Sequence, residues 1–311
     1  MRYLLLVSLG VMLSPFSGSA NEMSEENLDE CNSQSDSKQI LDRAYAHINT
    51  RFCQPALWFD NFFVDERTDQ DARAGTVIRW YNDFAWVENE GYQFQTKLKA
   101  RLNLPGVTKR LKVVFESDEE DDVFDLFPNS SQDTENTLGL RYDWLSQGRR
   151  SFNIKVTARP GIEGRFQYTY PVTEDTLLRL TQKVYQKKSL TGESTEIDID
   201  HSLSEKFLFR WSNFAKYEDD IKGWEVGSGV TLYHHISPTQ AMNYQASTTA
   251  TNRPYDHISN SRLSITYRQN ILRDWFFYEL QPEYNWNEDE ETPRYHEAKL
   301  TLRLEVLFYN I

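Results

Sequence analysis

Arginine, lysine, aspartate and glutamate recur at every second position along much of this chain, and any chemistry it does must be built on that spacing. Arg79, Lys97, Lys99, Arg101, Arg141, Lys155, Arg179, Arg210, Lys299 and Arg303 alternate with apolar neighbours, as do Lys112, Arg165, Lys183, Glu279, Glu283 and Glu305. On a β-strand successive side chains point to opposite faces, so these charges share one face with one another. Basic residues dominate the earlier segments and acids gather in Glu196–Asp200. If the segments close around a space, that separation lays a transverse field across it and sorts charged solutes. The arginine enrichment favours anions. A salt-bridged, water-containing interior that serves structure alone is the other reading of the same residues.

A second constellation has the types needed for covalent chemistry. His257 and Ser259 would supply the base and nucleophile of an acyl hydrolase. Parity with Leu263 and Ile265 predicts both on the apolar face near one rim, with Glu288 the one residue placed to orient the imidazole. Cys31 and Cys53 are the two cysteines of the chain. An even count outside the cytosol predicts a disulfide closing a loop of about twenty residues, worth roughly 3 kcal/mol. The run Asp118–Asp122 with Asp125 offers the oxygen ligands that Ca²⁺ takes, but it lacks fixed loop spacing and a turn glycine. It reads as a solvated acidic loop, and neither a metal nor a cofactor is expected.

Strands must position these residues. From Tyr295 to Phe308, Ala298, Leu300, Leu302, Leu304, Val306 and Phe308 oppose Lys299, Thr301, Arg303 and Glu305. The same period of two recurs from Gly75 onward, with Trp and Tyr near segment ends. About fourteen such segments are countable, an even number, and splitting or merging one hairpin gives twelve or sixteen. The reading is all-β, a transmembrane up-and-down antiparallel β-barrel preceded by a short N-terminal helical segment. A soluble β-sandwich or periplasmic barrel is the competing architecture. It would bury the apolar rows against each other and would usually carry polar breaks along the outer rows, which the sequence does not show.

Upstream, Met1-Arg2, the apolar run Leu4–Leu13 and Gly18-Ser19-Ala20 have the layout of a secretory leader cleaved after Ala20. The expected division is therefore 1–20 leader, 21–74 periplasmic segment and 75–311 barrel. Within 21–74, Ile40, Leu41, Ala44, Tyr45 and Ile48 recur at helical spacing. Trp58, Phe59, Phe62 and Phe63 follow as an aromatic row. That much apolar surface predicts docking at the barrel's periplasmic mouth, with the rings packed on one another and Asp60, Asp65, Glu66 and Asp69 offered to the arginines of the wall; a periplasmic partner is the alternative. The net charge of −13 argues against nucleic acid. A mean hydropathy of −0.67 is natural where every second residue faces water.

Expected turns fall at Pro105-Gly106, Gln147-Gly148, Pro171-Val172, Leu203-Ser204, Ser237-Pro238 and Leu272-Arg273. They share one side of the sheet. The alternate side takes the long or acidic connections, the asymmetry that places short turns in the periplasm.

The terminal Leu304-Glu305-Val306-Leu307-Phe308 resembles the last strand of Gram-negative outer-membrane proteins, although Tyr309-Asn310-Ile311 follow the aromatic. The resemblance implies an outer-membrane location, contact with lipid and lipopolysaccharide, and recognition by the barrel-assembly machinery. Cys53–Phe63 and Asp274–Glu283 are similar to an uncharacterised proteobacterial family of such barrels, which implies no activity. His257-Ile258-Ser259-Asn260 is similar to the His-x-Ser-Asn run of outer-membrane phospholipase A, with Ser261 where that family has glycine. The expectation that emerges is a pore for small polar or anionic solutes. A barrel without an open pore and an acyl hydrolase stand behind it.

Overall fold

The computed structural model describes Phe62 and residues 77–103, 111–116, 126–127, 137–147, 149–158, 161–187, 190–219, 223–253, 255–271, 275–288 and 294–309. The expected leader, the helix over 36–48, the Cys31–Cys53 pair, the acidic run 118–122 and the boundaries at 20 and 74 lie outside these residues.

Fourteen strands make up the described chain: β1 (Val77–Val87), β2 (Gly91–Asn103), β3 (Leu111–Glu116), β4 (Thr137–Gln147), β5 (Arg150–Thr157), β6 (Gly161–Thr173) and β7 (Thr176–Lys187), then β8 (Leu190–Ser204), β9 (Phe207–Glu218), β10 (Gly223–Ser237), β11 (Gln240–Thr251), β12 (His257–Asn270), β13 (Phe276–Asn287) and β14 (Tyr295–Tyr309). Each pairs antiparallel with its neighbours in sequence, and β1 pairs with β14 to close the barrel. Closure removes the sheet edge, so backbone N–H and C=O groups find their partners within the wall.

The period of two seen in the sequence is the period of the wall. Trp80, Phe84 and Trp86 of β1 project outward, Trp80 at 48% exposure, while Arg79, Tyr81 and Asp83 between them are buried inside. On β12, Leu263 at 50% exposure and Ile265 point out, and Arg262, Ser264, Thr266 and Arg268 point in. Exposed Leu, Ile, Val, Phe and Trp of this kind run around the whole closed barrel. In water that belt would be an aggregation surface; against hydrocarbon it is the stable arrangement. The barrel spans a bilayer. Among the described residues, no helix is long and apolar enough to cross a membrane, so the strands do the crossing.

The turns depart from expectation at proline and small polar residues, which the strands run through. Pro171 and Val172 lie inside β6, and the reversal comes at Glu174-Asp175. A register shift between Pro171 and Thr173 absorbs the proline, which has no N–H to give the ladder. Leu203 and Ser204 likewise belong to β8, with the turn at Glu205-Lys206, and Ser237 ends β10 ahead of Pro238-Thr239. These two-residue turns share one end with Val77 and Tyr309, and the connection 117–136 leaves from the other. Short turns mark the periplasmic end.

Candidate functional site

The inner wall is where charge, burial and hydrogen bonding converge, and it divides into three zones. In the first, formed by β12, β13, β14 and β1, cations and acids are matched. Arg268 Nη1 donates to Glu305 Oε2 at 2.6 Å and also contacts Glu279, while Arg79 Nε donates to Glu305 Oε1 at 2.9 Å. Arg303 grips Asp83 with both prongs, at 2.6 and 2.7 Å. One tier away, Arg262 and Lys299 converge on Glu283 at 2.5 and 3.6 Å, supported by Gln281 and Asn285 donating to the same carboxylate. The side chains of Arg268 and Glu305 are both 0% exposed. Such pairs survive out of water only because each partner is hydrogen-bonded by the other.

Phe62 closes over this zone. Its ring meets Phe277 edge to face at 5.9 Å and packs with Ala241 and Leu307. Arg268 stacks on Phe277 at 4.0 Å and reaches Phe62 at 5.9 Å. All three wall partners sit near the end with the short turns. Phe62 thus lies against an arginine and a wall phenylalanine. The expectation for this ring was packing within its own segment, with acids turned to the wall; a cation–π partner lets an aromatic replace a carboxylate there.

The second zone is on β9, β10 and β11, where Leu126 and Phe127 from the connection 117–136 enter. Ser247 Oγ donates to the Leu126 carbonyl at 2.5 Å, and Phe127 packs on Phe214 at 4.8 Å. Gly229 makes room: a Cβ there would lie 3.1 Å from Leu126 Cδ2 and 2.9 Å from Ser247 Cβ. Gly227 similarly faces Phe127 and Phe214. Nothing in the sequence analysis singled out Leu126 or Phe127; the signal was two wall glycines spaced by two on one inner face, where a filled lumen would have larger side chains.

The third zone runs along β3 to β8, with basic residues on β3 to β7 and the acids Glu196, Asp198 and Asp200 on β8 beside them. Register places Lys112, Arg141 and Lys155 side by side on adjacent strands, and Arg165 beside Lys183 on the next rung. Asp143 takes Lys112 at 3.1 Å and Arg141 at 2.8 Å. Lys183 binds Glu196 at 2.7 Å with both side chains about a quarter exposed, at 24% and 28%. Water therefore reaches the Lys183–Glu196 pair, while it is excluded from Arg268–Glu305. Lys97 and Arg101 on β2 are buried inside, Lys99, Lys155, Arg179 and Lys299 are half-buried on the same face, and Arg210 is buried and paired with Asp200.

Among the described residues, no hydrogen bond joins His257 to Ser259, and each side chain bonds a backbone carbonyl instead. A register shift between Thr249 and Ala250 puts an extra residue on β12 at Ser259, so His257 is paired with Thr251 and Ile258 with Ala250. Parity breaks there, and the two side chains were predicted on one lipid-facing row only by assuming it held. Ser259 Oγ donates to the Thr249 carbonyl at 3.2 Å, and His257 Nδ1 bonds the Tyr255 carbonyl at 2.9 Å. Glu288, the proposed orienting acid, pairs with Arg294 at 3.5 Å.

With this geometry in place, the relatives in three dimensions can be compared. The wall superposes on the CymD monoaromatic hydrocarbon channel with a TM-score of 0.50 at 10% identity, over 81% of this chain and 92% of that one. A loop-deleted form of OmpT, an outer membrane protein of Vibrio cholerae, matches with a TM-score of 0.50 at 7% identity, over 75% and 98%. The fold is that of outer-membrane barrels. No family model and no curated protein matches the sequence. Taken with the lipid-facing belt and the terminal strand, the chain is an integral β-barrel of the bacterial outer membrane. Among the described residues, no cluster of three or more His, Cys, Asp or Glu is placed to hold a metal ion.

Proposed function

We propose that the barrel is a narrow pore for small polar solutes with a preference for anions, and that solutes track the basic wall of β3 to β8. One observation carries this reading: the Arg268–Glu305 pair between β12 and β14 is dry, whereas the Lys183–Glu196 pair beside Arg165 is about a quarter exposed, which leaves the basic face there open to water. A cationic wall beside a neutral one raises local anion concentration and repels cations. Reconstitution in planar bilayers under a salt gradient tests it, and a reversal potential of the anion-selective sign is expected.

A barrel that serves the membrane without an open pore is the second reading, favoured by Phe62 at one end and Leu126 and Phe127 nearer the other. Conductance separates the two: Phe62→Ala and Leu126→Ala raise the current if these side chains narrow a path, and leave it at baseline if no path exists.

A further inference from the structure

We propose that the inner faces of β6 and β7 hold a binding site for an oxyanion, the phosphate or carboxylate group of a solute, between Arg165 and Arg179. The inference deepens the pore reading and rests on it for how the anion arrives. Register sets three consecutive inward rungs: Arg165 opposite Lys183, Gln167 opposite Thr181, and Thr169 opposite Arg179. The two arginines thus bracket the middle rung from adjacent strands, roughly 13 Å apart along the strand direction at about 3.3 Å per residue.

Arg165 is 5% exposed, yet no hydrogen bond or ion pair joins it to another described residue. The Nη1 of Arg179 is buried and has no hydrogen-bond partner. A guanidinium withdrawn from water needs compensation; Asp198 lies across from Arg179 in register, and two of the other nearby acids are held by other cations. Glu196 is held by Lys183 at 2.7 Å, and Asp143 by Lys112 and Arg141. Glu163 acts on Arg165 through space without pairing with it. The middle rung adds neutral donors. Gln167 accepts from Ser151 Oγ at 3.4 Å through Oε1, which leaves its amide NH₂ to donate, and the Thr181 hydroxyl is buried beside it. Two planar forks flanking an amide and a hydroxyl make a set of donors suited to the several acceptor oxygens of a phosphate or carboxylate, and poorly suited to a cation.

The test is calorimetric titration of the full, detergent-folded chain with inorganic phosphate and, separately, with succinate, at constant ionic strength in sodium chloride. Saturable binding is expected for at least one of the two. Phosphate alone would identify a phosphoryl site, and succinate alone a carboxylate site. Arg165→Gln and Arg179→Gln should each weaken it roughly tenfold or more, with Arg165→Lys intermediate because it keeps charge and loses the fork. Ser261→Ala, on the outer face, should bind as the parent does. Heat-modifiable gel mobility shows that each variant is folded. Binding unchanged in both glutamine variants, or a folded parent that binds neither probe, overturns the site. A barrel that passes chloride with anion selectivity and binds neither probe keeps the pore and loses the site; one that binds phosphate and never conducts does the reverse.

Discussion

Two walls of one barrel, built from the same alternation, have opposite electrostatics. The wall of β12, β13, β14 and β1 spends every described arginine on a carboxylate, and its Arg268–Glu305 pair is fully dry. Across the lumen, Arg165 on β6 has no ion-pair partner among the described residues, and the Lys183–Glu196 pair is about a quarter exposed. Charge in a lumen therefore does two jobs that sequence alternation cannot separate. Dry, bidentate pairs such as Arg303–Asp83 cross-link neighbouring strands where the barrel closes, and cations held beside a partly exposed pair such as Lys183–Glu196 act on whatever enters.

Substitutions that break this comparison should differ in size. Glu305→Ala strands Arg79 and Arg268 in a dry site and should cost about 3–5 kcal/mol of stability, the penalty of breaking a buried pair from one side. Urea unfolding of vesicle-embedded barrel reads it. By contrast Glu196→Gln, in the wet pair, should cost less than about 1 kcal/mol. Comparable losses for the two would erase the distinction between the walls. Next in size, Phe62→Ala should destabilise by about 1.5–3 kcal/mol through lost ring burial, and should also raise conductance. A drop in stability with no change in current would make Phe62 a structural prop only.

Smaller again, Gly229→Val pushes a branched side chain toward Leu126 and Ser247, and should displace Leu126 while leaving the fourteen-strand wall closed. Faster proteolysis of the connection 117–136 with unaltered heat-modifiable mobility is the expected pair of results. The smallest effect is expected of Ser259→Ala, which removes one hydroxyl bond to the Thr249 carbonyl, about 1 kcal/mol. Any phospholipase activity in purified barrel should be the same with and without Ser259. Activity lost on that substitution would reopen the hydrolase reading.

Much of this barrel was legible in the sequence because a period of two with an apolar outer row has few solutions. The segment at Gln240–Thr251 alternates faintly in apolar character and is still a strand, held by register to β10 and β12. Legibility failed where one residue alters the count. The bulge at Ser259 and the register shift after Pro171 both come from single positions, and no local pattern announces them. The lumen-facing charges could be placed by parity alone, but their pairing could not. Whether Arg268 meets Glu305 and Glu279 depends on strand order and stagger, which join residues far apart in the chain. Contacts made by Phe62 and by Leu126 and Phe127 were hidden for the same reason: they join residues outside the strands to wall residues far away in the chain.

The central claim is that the basic wall around Arg165 sets what passes. Reversal potential across a planar bilayer under a potassium chloride gradient, measured for the parent and for Arg165→Glu, tests it most directly. The account predicts chloride preference in the parent and a shift toward potassium in the folded variant. A cation-selective parent, or a selectivity that ignores Arg165, would contradict it.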